Sequence, residues 1–476
     1  MRLRRALAIV SLCVVGAVSS APRGAAETAS SSRLDGPSID AMLADVVAET
    51  GLPGLAAVVT VGDRVVYSSG FGHDSRGHAV DARSRFRIAS VSKSFTAAAV
   101  LQLVEAGRLR LDDRVTDVLP EFRLADERAD RITVRHLLQQ TSGLQDRRIP
   151  ITDASEAHDL SGFVSALAPG KLVSDPGSQF HYCNANYEVA ARVVEAISGL
   201  RFADYMRAQI FAPLGMTDTT IGDAGHPTAD GYISLYPSWL EVAENRRFVG
   251  GAGGVVTTAA DLGQWLKAQN GLRPDVLTPA TLSRERESGP GGKCAMGWIP
   301  STEGGTANYE HPGNLFTYTA DQVVIPEHRV GFAVLANSIT TPDVSYQAVK
   351  GLKALTAGLD PPSPRNDART VALCSYAVAI VSILLAIGVL IRLPRWRDRS
   401  AQRGGWRTAL GVGPWFLMCL PLAGYRWAIS QLMPGRLVEW WHLLYATPSV
   451  LVALAAMAVG GVSIGVGRVI TWFRLG

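Results

Sequence analysis

Cysteine is scarce: five in 476 residues. Cys13, Cys374 and Cys419 lie in apolar segments, which leaves Cys183 and Cys294 in the central region, and five thiols so placed do not make a disulfide scaffold. Whether Cys183 and Cys294 pair stays open at this level. No Cys/His cluster has zinc spacing, so no metal is implied. Gly289 to Cys294 contains Gly-Lys but lacks the upstream glycine and the following Ser/Thr of a phosphate loop, and no organic cofactor is implied either. The centre of the chain also lacks basic surplus. Residues 27–360 carry 30 bases against 39 acids, which argues against nucleic acid as a partner.

The basic residues sit at the ends. The first 26 residues hold 4 Arg and no acid, and residues 361–476 hold 12 Arg and 3 acids. Both stretches flank apolar runs, where positive charge reports topology. Hydrophobic residues make up 47% of the chain and the mean hydropathy is +0.14, so part of it is expected in lipid. The length suits a large globular domain plus something else.

The N-terminus reads as a signal peptide over 1–26. Arg2, Arg4 and Arg5 precede the apolar stretch Leu7 to Val18, and Gly24-Ala25-Ala26 offers a cleavage site. The following domain, 38–357, is therefore expected outside the cytoplasm. A Pro-rich linker, 358–370, leads to three apolar segments at about 371–391, 409–430 and 443–467, each long enough to span about 30 Å of hydrocarbon. The loop after the first holds Arg392, Arg395, Arg397, Arg399, Arg403 and Arg407 and is expected in the cytoplasm. That loop and the signal peptide give one topology: a multi-pass membrane protein whose C-terminus is cytoplasmic. Gly461-Val462-Ser463-Ile464-Gly465 matches a nucleophile-elbow pattern but lies inside the third segment with no strand before it, and reads as small-residue helix packing.

Within the central domain, Ile39 to Thr50 has helical periodicity. Gly54 to Ser69 alternates around Gly62-Asp63, a hairpin signal. The stretch 105–240 reads as mainly helical, and strand character returns at 294–300 and 308–337. Strands at both ends with helices between predict an α+β fold: an antiparallel sheet flanked by helices, with an inserted all-helical lobe.

Three motifs carry chemistry. In Phe86 to Thr96, Ser90 falls at a helix start and Lys93 stands one turn on. Residues three apart share a helix face, so the lysine can reach the serine hydroxyl, which needs a base to become a nucleophile. Tyr182 and Asn184 are two apart on a turn after Pro176-Gly177 and can point together into a cleft. His311-Pro312-Gly313-Asn314 opens the terminal strand region, where Pro marks an edge and Gly permits close approach.

Taken in order, Ser-x-x-Lys, Tyr-x-Asn and a [Lys/His]-x-Gly triplet resemble the serine β-lactamase and penicillin-binding-protein superfamily. The surrounding blocks, among them Thr141 to Leu144, Gly250 to Leu266 and Gly331 to Asn337, resemble its class C-related branch, which includes D-amino-acid peptidases and esterases. The resemblance implies an acyl-enzyme at Ser90, proton transfer shared by Lys93 and Tyr182, and substrate held by Asn184, His311 and Gly313. It implies an oxyanion hole from the backbone N–H groups of Ser90 and Asn314. The triplet departs from the β-lactamase form: His311 is charged conditionally, and Pro312 has no hydroxyl for a substrate carboxylate. The expected function is thus a peptidase- or esterase-type hydrolase acting on a small molecule or peptide, with membrane lipid as its other partner. The alternatives are a true β-lactamase or D-Ala-D-Ala carboxypeptidase, and a catalytically silent receptor or scaffold.

Overall fold

The computed structural model describes residues 33–223, 227–244, 250–303, 305–400, 405–433 and 435–473. The expected signal peptide lies outside them. The chain opens with helix α1 (Gly36–Thr50), capped by the Asp35 carboxylate on the Ser38 N–H at 2.9 Å and ended by Gly51 at φ 66°. Its buried residues Ile39, Met42, Leu43 and Val46 fall on one stripe. Strands β1 (Gly54–Val61) and β2 (Arg64–Gly72) form the hairpin around Gly62-Asp63. Helices α2 (Ser92–Glu105) and α3 (Ala185–Ser198) follow, then the hairpin β3 (Gly231–Leu235) and β4 (Ser238–Val242), and helix α4 (Ala259–Gln269). Strands β5 (Ile299–Glu303), β6 (Thr306–Asn314), β7 (Thr319–Ile325) and β8 (Val330–Ala336) precede helix α5 (Tyr346–Thr356). The C-terminal part comprises α6 (Asp367–Ile391), α7 (Gly405–Phe416), α8 (Leu420–Leu432), α9 (Trp440–Ala446) and α10 (Pro448–Phe473), with a short helix, Leu393–Ser400, after α6.

The main sheet is antiparallel, in the order β2-β1-β8-β7-β6-β5. Its central strands are covered on both faces, so β7 and β8 are buried along their whole length. Alternation divides β1 between two cores. Leu55, Ala57 and Val59 pack with α1 and α5, whereas Ala56 and Val58 face the helical lobe. In that second core Phe95 of α2 stacks on Trp265 of α4 with ring centroids 3.8 Å apart. Gln322 of β7 accepts from the Trp265 Nε1 at 3.2 Å and donates to the Ser94 Oγ at 2.9 Å, which fastens the sheet to the helix that carries Lys93.

The α+β plan and the helical lobe are as expected. Two segments differ. The end of the stretch read as helical, 231–242, is the β3–β4 hairpin; Gly231 lies against Thr317, where a Cβ would come within 2.2 Å of the Thr317 carbonyl oxygen. Among the described residues the C-terminal part contains two helices, not three, that are long and apolar enough to cross a membrane: α6 and α10. The middle segment is interrupted by a 3-10 turn at Leu417–Cys419, with Pro414 inside α7 and Pro421 in the first turn of α8. Each proline removes a backbone donor and clashes with the preceding turn, so hydropathy alone overstated a continuous helix there. Gly460 of α10 faces the Ala386 methyl and Gly461 faces the Trp415 carbonyl; a Cβ at Gly461 would lie 2.4 Å from that oxygen. The Gly-x-Ser-x-Gly pattern is thus helix packing by small residues.

Candidate active site

The site begins where the strand Phe86–Arg87 turns into α2. Ala89 carries φ 48°, a left-handed conformation that costs a non-glycine residue about 1–3 kcal/mol. A 3-10 turn, Ala89–Val91, then leads into the helix and leaves Ser90 partly exposed. Lys93, one turn on, is 1% exposed. Its Nζ donates to Ser90 Oγ at 2.9 Å, to Asn184 Oδ1 at 3.0 Å and to the Ala252 carbonyl at 2.7 Å. Three acceptors thus meet three donor positions.

Tyr182 and Asn184 precede α3 and, with the fully buried Cys183 between them, both turn toward Ser90. The Tyr182 hydroxyl donates to Ser90 Oγ at 2.8 Å, so one serine oxygen receives hydrogen bonds from both the lysine and the tyrosine. The Lys93 Nζ lies 5.0 Å from the Tyr182 ring centroid and 5.7 Å from that of Tyr187. The turn is held from behind: the Gln140 side chain accepts from the Cys183 N–H at 3.0 Å and from the Asn186 amide at 2.6 Å.

Glu188 on the same helix is a site residue that no sequence pattern announced. Fully buried, it accepts from the N–H groups of Gly250, Gly251 and Ala252 at 2.9–3.3 Å. It thereby fixes the loop whose Ala252 carbonyl grips Lys93. Burial pushes its carboxyl up to about 7, against the pull of those N–H groups and of Lys93. The one sequence signal for this loop was the Gly250 to Leu266 block, which says nothing of its carboxylate partner.

Strand β6 closes the far side. His311 and Gly313 face the nucleophile, and the His311 ring centroid is 6.4 Å from that of Tyr182. Burial first, then Lys93, lowers the His311 imidazole to about 3, so it is neutral at pH 7; its Nδ1 donates to the Pro312 carbonyl at 2.7 Å. A Cβ at Gly313 would lie 2.3 Å from the Ile88 carbonyl oxygen and 3.2 Å from the Ser90 nitrogen. Gly313 therefore lets the strand approach the nucleophile turn itself. Pro312 and Asn314 point the other way and line a cleft with Asp321, Tyr346 and Lys350. This alters the weight of one expectation. The missing hydroxyl at position 312 matters less, because that side chain leaves the site, and what the triplet lacks is a cation. Asn314 can serve through its backbone only.

Ser90, Lys93, Tyr182, Asn184, His311 and Gly313 thus converge, whereas the Asn314 side chain lines the other cleft. Cys183 and Cys294 are both free and buried, and burial raises both thiols. Among the described residues no group of His, Cys, Asp or Glu could hold a metal ion.

Three comparisons bear on this arrangement. Penicillin-binding protein 4 of Amycolatopsis lactamdurans is 32% identical over 326 residues, 61% of this chain and 82% of that protein. The crystal structure of a penicillin binding protein from Bacillus halodurans superposes with a TM-score of 0.57 at 26% identity, covering 67% of this chain and 98% of that one. A D-amino acid amidase from Ochrobactrum anthropi SV3 shares the fold, with a TM-score of 0.53 at 24% identity over 63% of this chain and 91% of its own. A family model described as Beta-lactamase matches residues 39–356, which include every residue of the site just built, and the chain belongs to that family of serine hydrolases.

Proposed function

We propose that this chain is a membrane-anchored, extracytoplasmic serine hydrolase that forms an acyl-enzyme at Ser90 with an amide or ester substrate. The observation that carries the reading is the partly exposed Ser90 Oγ held at 2.9 Å by Lys93 Nζ and at 2.8 Å by the Tyr182 hydroxyl. Ser90 Oγ attacks the substrate carbonyl carbon as its proton passes to a deprotonated member of the Lys93–Tyr182 pair, whose hydrogen bond with Oγ then runs from Oγ as donor. The carbonyl oxygen gathers negative charge against the backbone N–H groups of Ser90 and Asn314. Tyr182 returns the proton to the leaving amine or alcohol as the C–N or C–O bond breaks. Water then attacks the acyl carbon, gives a proton back to Ser90, and releases the acid. Asn184 orients the substrate and Lys93 together. A neutral His311 supplies no charge for a terminal carboxylate, which favours peptidase or esterase chemistry over penicillin or D-Ala-D-Ala cleavage. The likeness to penicillin-binding protein 4 favours the second reading, a β-lactamase or carboxypeptidase.

The membrane part of the reading rests on α6 and α10, whose Ile380, Val381, Leu384, Ile387 and Val459 side chains are exposed. The chain leaves the catalytic domain at Asn366, which donates to the Thr50 carbonyl at 3.0 Å, and is back beside that domain at Arg436. In this reading the interrupted segment α7–α8 travels back across the thickness that α6 crosses, and the arginines after α6 lie at the far, cytoplasmic end. The test is a screen of the full-length chain on p-nitrophenyl esters, D-amino peptides and nitrocefin. Ester or D-peptide turnover above that of nitrocefin is expected, and the reverse ranking promotes the second reading.

A further inference from the structure

The C-terminal part does more than hang the hydrolase on a membrane. Between α8 and α10 the chain runs along the mouth of the active site and touches both of its banks. On one bank, the Arg436 guanidinium pairs with Asp146, Nη1 to Oδ2 at 3.0 Å, and lies 5.5 Å from the Tyr182 ring centroid. Asp146 is 6% exposed and belongs to the turn after Gly143. The neighbouring Arg147 donates to the Arg436 carbonyl at 3.0 Å and to the Ser430 carbonyl. Gly435, at φ 85°, sits so close to Gln145 that a Cβ would lie 2.6 Å from its amide nitrogen. On the other bank, Phe316 follows directly on the β6 strand that bears Gly313 and Asn314. Its ring packs against Trp441, His442 and Tyr445 of α9, with centroids 4.5, 5.5 and 5.2 Å away.

One continuous segment thus clasps the turn on Tyr182's side and the loop after Asn314. The clasp is chemically specific. Asp146 is a buried carboxylate whose cation comes from across the chain, and a buried charge left unpaired is costly. Tyr182 has Lys93 and Arg436 both within reach of its ring, and Arg436 lies outside the 39–356 family match.

We infer that Arg436 is a positioning residue for Tyr182, and that the segment from Ser430 to Tyr445 is a strap joining the hydrolase and its membrane anchor into one catalytic unit. The inference rests on the acyl-enzyme reading above. Arg436 acts through the tyrosine and touches no reacting atom. A loosened strap lets Tyr182 leave hydrogen-bond distance of Ser90 Oγ, and a displacement of that size slows the proton step by orders of magnitude.

The experiment uses the full-length chain in detergent and measures two quantities: the rate at which a fluorophosphonate probe phosphonylates Ser90 with loss of fluoride, the stand-in here for acylation, and Tm. R436M is expected to acylate at least about tenfold more slowly and to lose Tm, since Asp146 is stranded. The double variant R436M/D146N removes both charges. It is expected to recover Tm while acylation stays low, because the ring still lacks its cation. Recovery of both would make the arginine merely structural and overturn the inference, as would an R436M enzyme that acylates at the parent's rate. If the double variant fails to fold, R436K decides. It keeps a charge beside Asp146 and Tyr182 and is expected within about threefold of the parent, so a fall as deep as that of R436M overturns the inference. A parent protein that takes no label at Ser90 brings down the hydrolase reading instead, and this inference with it.

Discussion

The two halves of this molecule bury opposite kinds of residue. In the catalytic domain the largest side chains go inside: Trp265, Trp298, Phe95 and Phe332 are all under 2% exposed. In α6 and α10 most of the buried residues are small, among them Ala372, Ser375, Ala379, Gly460, Gly461 and Gly465, with Ile464 a large exception, while Ile380, Val381, Leu384 and Val459 face outward. Water drives the first arrangement by excluding large apolar surface. In hydrocarbon that drive between helices vanishes, and close backbone contact through small residues takes its place. The contrast is the one expected if α6 and α10 lie in lipid, as proposed above.

Four measurements test this contrast. The largest concerns chemistry, whose reacting groups all lie in the catalytic domain. S90A is expected to abolish acylation, and K93A to lower kcat/KM by about 10³, within the range for loss of a positioned proton carrier. A K93A enzyme near the parent's activity would show that Tyr182 suffices. The second compares cores. Leu101 is fully buried in the core of the helical lobe, so L101A is expected to cost the catalytic domain about 2–5 kcal/mol in denaturant titration. L384A, on the outer face of α6, is expected to change detergent-phase stability by less than about 0.5 kcal/mol, whereas G460L pushes α10 off Ala386 and is expected to unfold the helix pair. A large cost for L384A would put that face against protein instead of lipid.

The third expectation concerns G313A. Its methyl meets the Ile88 carbonyl at 2.3 Å, which forces β6 away from Ser90. A loss of about 1–3 kcal/mol and at least about tenfold in kcat is expected, with KM for small esters changed less. The smallest effect is on pH. His311 has its imidazole lowered in the fold to about 3 from an ordinary 6.5, so the unfolded chain takes up its proton first. Its contribution to stability is complete above about pH 6.5 and is lost as pH falls toward 3. Glu188 has the opposite sign. Raised to about 7 from 4.5, it favours folding below about pH 4.5 and loses that contribution as pH rises through 7. H311Q is expected to flatten the acid limb of the stability profile and E188Q the limb between pH 4.5 and 7; an unchanged acid limb in H311Q would place a charged imidazole in the fold.

What the sequence made legible were local features. Ser90 and Lys93 lie one helical turn apart, and Tyr182 and Asn184 lie on one turn, so spacing alone sets their direction. The β1–β2 hairpin was readable from Gly62-Asp63 for the same reason. Features that depend on the backbone or on distant pairing were not. The Ala252 carbonyl has no side chain to announce it, and Glu188 is indistinguishable from any helical glutamate until the Gly250–Ala252 amides are seen around it. Arg436 meets Tyr182 and Asp146 only through the fold. The middle apolar segment was read as one regular helix because hydropathy counts Pro414 and Pro421 as two residues among many, whereas the helix tightens into a 3-10 turn between them.

The central claim is that Ser90 is the nucleophile. The most direct test is mass spectrometry of the full-length protein after a fluorophosphonate or labelled penicillin probe. The account predicts one adduct, on the peptide bearing Ser90 and absent from S90A. An adduct on another residue, or equal labelling of S90A, would contradict it.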